Sequence, residues 1–162
     1  MSGGEGAGRR ELDETFERDK ARLHALCLRM TGRADEAEDA LHDTWLAAVR
    51  SIPSFRGEAS LSTWLYRIAI RAATRVRTRR RAGPLEFEPV GREEATPESR
   101  ERLHRLLEGL DRLGVRHRTV LSLSAVEGLS AADIAEILDV PEGTVWSRLS
   151  AARRELRKSW KA

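Results

Sequence analysis

Residues 83–100, GPLEFEPVGREEATPESR, hold three prolines, two glycines and few apolar side chains, a composition that does not pack as a regular element. This stretch cuts a chain of 162 residues into an N-terminal half, 11–82, and a C-terminal half, 101–162. A polar, Gly-rich segment at 1–10 precedes them and is expected to be disordered. Each half is close to the smallest size that builds its own core, so both gain from docking to a larger partner. Helical periodicity in both halves makes the expected class all-α: two small helical domains joined by a flexible linker, the second a helix-turn-helix.

Charge is segregated along the chain. Residues 11–50 carry 10 acids and 6 bases, residues 59–82 carry 7 arginines and no acid, and residues 83–100 carry 5 glutamates and 2 arginines. A basic block between acidic stretches draws a polyanion to one place. All basic residues except Lys20, Lys158 and Lys161 are arginine. The planar guanidinium fork fits phosphates and guanine edges, although a GC-rich genome produces the same bias. No apolar run approaches the roughly 18 residues of a membrane span. The N-terminus has no apolar stretch of the kind a secretory signal needs. Cys27 is the only cysteine, which excludes a disulfide framework and a zinc cluster and makes a reducing cytoplasm the expected location.

In the N-terminal half, Phe16, Leu23, Leu26, Cys27 and Met30 show helical spacing up to Thr31-Gly32. A second helix, near 34–50, has Ala37, Leu41, Trp45, Ala48 and Val49 on its apolar face. Glu36, Asp39 and Asp43 recur on another side, either as a solvated acidic face or as a docking face for a basic partner. Pro53 and Gly57 break the chain, and Ser60 or Ser62 caps a third helix that runs near 61–80. Leu61, Trp64, Leu65, Ile68, Ala72 and Val76 form its inner face. Arg67, Arg71, Arg75 and Arg79 recur every fourth residue as a positive stripe about 20 Å long. Trp64 and Tyr66 stand at the start of the stripe. Aromatic surfaces beside a row of arginines suit single-stranded nucleic acid, where bases stack while cations track phosphates. Trp64 also fits as core, and the two roles are compatible.

In the C-terminal half, leucines at 103, 106, 107, 110 and 113 mark one amphipathic helix, and Val120, Leu121, Leu123 and Val126 a second. After Gly128, Ser130 and Asp133 form a capping box for a short helix that buries Ile134, Ala135, Ile137 and Leu138. A tight turn, 139–143, leads to a last helix with Val145, Leu149, Ala152 and Leu156 inside. The opposite side of that helix carries Trp146, Ser147, Arg148, Ser150, Ala151, Arg153 and Arg154. A short helix, a turn and a second helix with one free face make a helix-turn-helix, whose second helix fits a major groove.

Three blocks carry a resemblance to a known family. AEDALHDTWL (37–46), FRGEASLSTWLYRIA (55–69), and GLS (128–130) with the matching positions through Ala152-Arg153 resemble bacterial RNA polymerase sigma factors of the extracytoplasmic-function (ECF) type. The resemblance implies region two at 11–82, for polymerase docking and promoter melting, and region four at 101–162. It implies core RNA polymerase, through its largest and second-largest subunits, and promoter DNA as partners. An anti-sigma protein is a further possible partner. By position, Asp39, Leu41, Asp43 and Trp45 would face the polymerase. Phe55, Arg56, Gly57 and Ser60 would form a pocket for an everted base of the minus-ten element. Trp64, Arg67, Arg71 and Arg75 would support the single strand. Ser147, Arg148, Ser150, Ala151, Arg153 and Arg154 would meet the minus-thirty-five duplex. The chain departs from the family's pattern at His42 and at Arg71, which bears on base choice at the minus-ten element, and at Trp146, Ser150 and Ala151, which leaves region four fewer base-reading side chains. The acidic linker would suit a path through the polymerase channel, or serve as an ordinary tether.

Two other function classes stay in view. A stand-alone helix-turn-helix repressor would bind duplex DNA without polymerase, and the Trp/Arg segment counts against it. An enzyme is not expected. His24, His42, His104 and His117 lie on four separate helical segments without ligand spacing. No nucleophile elbow, phosphate loop or carboxylate pair stands out. No catalytic residue, metal or cofactor is therefore assigned. His24 and Cys27, one turn apart, make half a metal site at most.

Overall fold

The computed structural model describes residues 3–80, 96–126 and 128–161, so residues 83–95 of the expected linker lie outside the described residues. Among the described residues are seven α-helices and no strand. They are α1 (Gly3–Thr31), α2 (Ala34–Ser51), α3 (Leu61–Arg80), α4 (Pro97–Arg112), α5 (Val115–Ser124), α6 (Ala131–Leu138) and α7 (Glu142–Lys161). A 3-10 turn, Ile52–Ser54, comes directly after α2.

Two helix starts differ from the sequence expectation. The apolar spacing of α1 starts at Leu12, yet the helix begins at Gly3 and takes in most of the segment expected to be disordered. Arg9 donates to Asp13 at 3.0 Å and lies 5.1 Å over the Trp45 ring, so polar contacts carry the helix back beyond its apolar stripe. The start of α4 falls within the expected linker. The Thr96 side chain accepts from Ser99 N at 3.2 Å, and Pro97 takes the first turn, where its missing N–H costs nothing.

The three N-terminal helices pack on one another. Leu12, Phe16, Leu23, Leu26, Cys27 and Met30 of α1 meet Leu61, Leu65, Ala69, Ala72 and Ala73 of α3 and Ala37, Ala40 and Ala48 of α2 in one buried cluster. The alanines let the helix axes approach closely. Cys27 is fully buried, and desolvation pushes its thiol up to about 12, which makes it an inert packing residue. Tyr66, a candidate stacking surface in sequence, is buried. Burial and Asp19 push its phenol pKa up, while Arg22 opposes them. Asp19 accepts a short hydrogen bond from Ser62 Oγ, and Arg18 Nη2 donates to the same hydroxyl at 2.8 Å, tying α1 to the start of α3.

In the C-terminal half a buried arginine closes the α4–α5 corner. Arg118 Nη2 donates to the carbonyls of Leu110, Asp111 and Leu113 at 2.7–3.0 Å, and its Nε donates to Leu110 O at 2.9 Å. It adds donors to the last carbonyls of α4, where Leu110 O also accepts from Leu113 N at 3.2 Å. Desolvation and nearby Arg77 pull its pKa down to about 10 against the opposing pull of Asp111, so it stays charged at neutral pH. The capping box of α6 is present. Asp133 N donates to Ser130 Oγ at 3.1 Å, and Ser130 N donates to Asp133 Oδ2 at 2.7 Å. Asp139, in the left-handed region at φ 53°, ends α6 and turns the chain into α7.

The two helical domains touch one another. α6 packs on α3 and α5 on α1, and the buried residues of both halves join in one cluster. Each short bundle thereby gains the apolar burial its size denies it. Gly128 has φ 80°, and a Cβ there would sit 3.5 Å from the Arg22 guanidinium, so a side chain would meet both strain and α1. An Arg77–Asp111 ion pair links α3 to α4.

Ser130→Ala lowers stability by about 1 kcal/mol near neutral pH. Ser130 holds the Asp133 carboxyl below the usual range, so its contribution is complete above about pH 4 and lost as pH falls through the folded-state pKa. Urea denaturation of wild type and variant at pH 7 and pH 3 should show the difference shrinking in acid.

Candidate polymerase and nucleic-acid interfaces

α2 divides its four expected docking residues between two edges of its outer face. Leu41 and Trp45, both half-buried, line an open groove of about 380 Å³ with Glu38 and His42 of α2 and Phe16, Glu17 and Lys20 of α1. The Phe16 and Trp45 rings pack at 4.8 Å. Asp39 is exposed, and Asp43, a turn further on, lies at the opposite edge from Leu41. Helical spacing marks Phe16 only as core and does not single out Glu17 or Lys20. Their part in the groove depends on how α1 crosses α2, which no spacing within α1 reveals. Glu36 does not join an acidic face; it is buried, with Oε1 4.0 Å from Arg33 Nε.

The segment before α3 packs one aromatic ring on another. Phe55 and Trp64 pack at 5.1 Å with rings tilted by 47°, and both stay partly exposed. Arg56, Gly57 and Glu58 extend from them into solvent. Gly57 has φ 70°, a conformation that other residues enter at a cost, so the turn depends on it. Ser60 Oγ accepts from Thr63 N at 3.1 Å and caps α3. The hydroxyl expected in a pocket therefore also fixes the helix start.

Arg71, Arg75 and Arg79 are exposed along α3, as the four-residue spacing predicts. Arg67 is not free. Its Nε donates to Ile137 O at 3.0 Å and its Nη2 to Glu136 O at 2.6 Å. Those carbonyls close α6, at the negative end of the helix dipole, where a guanidinium is well placed. The solvent-facing part of the row therefore begins at Arg71.

On α7, Val145, Leu149 and Ala152 are buried. Ser147, Ser150, Arg153 and Arg154 are exposed, and Arg148 and Ala151 are partly so. These six residues share one helix with a free face, as expected of the second helix of the motif. The arginine row of α3 and the free face of α7 lie on different elements, and α6 packs on both helices.

The chain matches family models over two stretches: Sigma-70 region 2 at residues 15–83 and Sigma-70, region 4 at residues 103–156. It is 38% identical over 152 residues to the ECF RNA polymerase sigma factor SigM of Mycobacterium tuberculosis, covering 91% of this chain and 76% of that protein. It is 34% identical over 155 residues to the ECF RNA polymerase sigma factor SigW of Bacillus subtilis, covering 86% and 83%. The chain belongs to the ECF sigma factors. As such it acts in transcription initiation with core RNA polymerase and promoter DNA. Among solved structures, this sigma factor is similar to RpoE of Bartonella quintana in complex with the anti-sigma factor NepR. That match has a TM-score of 0.62 and 27% identity, and covers 95% of this chain and 96% of that one. It shares the fold of CnrH, solved with the cytosolic domain of CnrY, with a TM-score of 0.70 and 21% identity over 94% and 89% of the two chains. Both halves of the sigma factor are matched, which leaves a stand-alone repressor without support. No helix among the described residues is long and apolar enough to cross a membrane.

Arg67→Ala removes both hydrogen bonds from α3 to the end of α6. Bonds from a charged donor are worth about 1.5–3 kcal/mol each in full burial, and solvent exposure takes this pair below that range, to about 1–2 kcal/mol together. The expected result is faster hydrogen exchange across 131–138 with little change in the interior of α1. Equal exchange in wild type and variant would show that α6 is held without Arg67.

Proposed function

We propose that region two of this sigma factor holds the opened minus-ten strand on the surface formed by Phe55, Arg56, Gly57, Ser60 and Trp64, with Arg71 and Arg75 tracking its phosphates. The observation that supports this best is the Phe55–Trp64 pair standing, partly exposed, at the head of a row of solvent-facing arginines. Everting a base costs a few kcal/mol, and stacking on an aromatic surface returns about 1–3 kcal/mol per base. Duplex opening then needs no bond chemistry, only tighter binding of the open form than the closed one. On this reading the protein is a non-enzymatic initiation factor of the cytoplasm.

The groove edged by Leu41 and Trp45 would dock on the polymerase by apolar contact, with Asp39 and Asp43 on the other edge of α2 giving orientation. Ser147, Arg148, Ser150, Ala151, Arg153 and Arg154 of α7 would meet the minus-thirty-five duplex, the arginines mainly at phosphates. A protein inhibitor of the anti-sigma type is a further partner by analogy with the two solved complexes.

Run-off transcription with core polymerase on a library of promoters tests the whole reading, and RNA from selected templates is expected. Arg71→Ala with Arg75→Ala should reduce strand opening, read by permanganate reactivity of unpaired thymines, about ten-fold more than closed-complex binding. Equal loss in both would remove the strand-support role. Asp43→Arg should weaken association with core polymerase about ten-fold in a titration at low salt. Unchanged affinity would place the docking surface elsewhere.

A further inference from the structure

α7 presents one large apolar group to solvent. Trp146 is 53% exposed, and among the described residues only Val115 is another large apolar side chain so open. Its indole Nε1 donates to Glu142 Oε1 at 3.3 Å, one turn earlier on the same helix. The ring's only polar atom is therefore occupied within α7, and what it offers outward is carbon. Ser150, Arg153 and Arg157 continue the same stripe and Ser147 lies beside it, all exposed. The two serines are short, so the ring stands above its neighbours.

Four arginines, Arg148, Arg153, Arg154 and Arg157, sit on the same helix, giving a surface whose charge complements phosphate. One indole contributes about 150–250 Å², far less than the roughly 800 Å² per partner of a stable protein interface. Trp146 is the fifth residue of the second helix of a helix-turn-helix, in the N-terminal part of that helix, which meets base edges. Along the major-groove edge of DNA the one apolar group is the 5-methyl of thymine. A ring whose N–H is already engaged distinguishes bases by that methyl and not by hydrogen bonding.

We propose that Trp146 is a specificity-determining residue that packs against a thymine 5-methyl group in the upstream duplex element. This rests on the reading of α7 as the duplex-facing helix. It makes the upstream preference one of apolar contact, with Ser147 and Ser150 leaving room for the ring to enter the groove.

The test uses holoenzyme assembled from the full chain and core polymerase. Duplexes randomised upstream of the melted segment are selected with wild type, Trp146→Ala and Trp146→Arg, each checked for wild-type helicity. Wild type should retain thymine at one fixed position, and both variants should lose that preference. In a promoter retained by wild type, replacing that thymine by uracil removes only the methyl. The expected loss is about four-fold for wild type, the value of one buried methyl-sized group, and none for Trp146→Ala. An equal uracil effect in both proteins overturns the proposal, as does selection unchanged by Trp146→Ala. Weaker core-polymerase binding by Trp146→Ala with the same DNA selection also overturns it, and assigns the ring to a protein contact. If wild type selects no upstream sequence at all, the reading of α7 itself fails. If it selects one without thymine dependence, only the present proposal fails.

Discussion

Burial of the inner face of α3 against α1 and α2 is the constraint on which the rest of this structure depends. Leu61, Leu65, Ala69 and Ala73 turn inward, and that single commitment aims Arg71, Arg75 and Arg79 outward. The start of α3 is fixed twice, by the Ser60 cap and by the Ser62–Asp19 bond to α1. Those two anchors place the turn at 55–59, and with it the Phe55 ring beside Trp64. The same helix also gives α6 its seat. One helix thus packs on α1 and α2, carries the exposed arginines and seats α6.

Charge has a structural as well as a functional part here. Arg118 is buried and satisfied by the carbonyls that end α4, while Arg67 reaches across to the carbonyls that end α6. Both exploit the same physics: a helix C-terminus leaves carbonyl oxygens without partners and carries partial negative charge. A guanidinium has enough donors to satisfy several carbonyls at once. Arginines that look interchangeable in sequence thus separate into those that hold the fold and those that face solvent. Arg71, Arg75 and Arg79 belong to the second group.

Much of the fold is legible from periodicity. The buried set of α1 matches the apolar spacing. In α6 and α7, Ile134, Ile137, Val145, Leu149 and Ala152 are buried as expected, while Ala135, Leu138 and Leu156 are only partly so. The capping box of α6 is readable from Ser130 and Asp133 because capping is local. Periodicity fails where contacts between elements decide. Leu41 and Trp45 share an apolar stripe with Ala37 and Ala48, but only the alanines are fully covered, since α1 and α3 reach one edge of that stripe. Tyr66 is adjacent to the arginine row in sequence and buried in space. Glu36 has the spacing of a surface acid and is buried near Arg33. The start of α4 hides in the linker composition because Pro97 reads as a breaker, although a proline one residue after Thr96 is also a helix-opening signal.

The sequence by itself determined the all-α class, the helix-turn-helix and the family, because each rests on residues close together in the chain whose spacing sets which face they share. Only the tertiary structure decided that the halves pack together, that Phe16 lines a groove with Trp45, and that Arg67 is held by α6. Those outcomes depend on helix crossings and on which carbonyls at distant helix ends lie within reach. Residues 67 and 137 lie 70 positions apart, and no local pattern encodes that a guanidinium on one will find the carbonyl of the other.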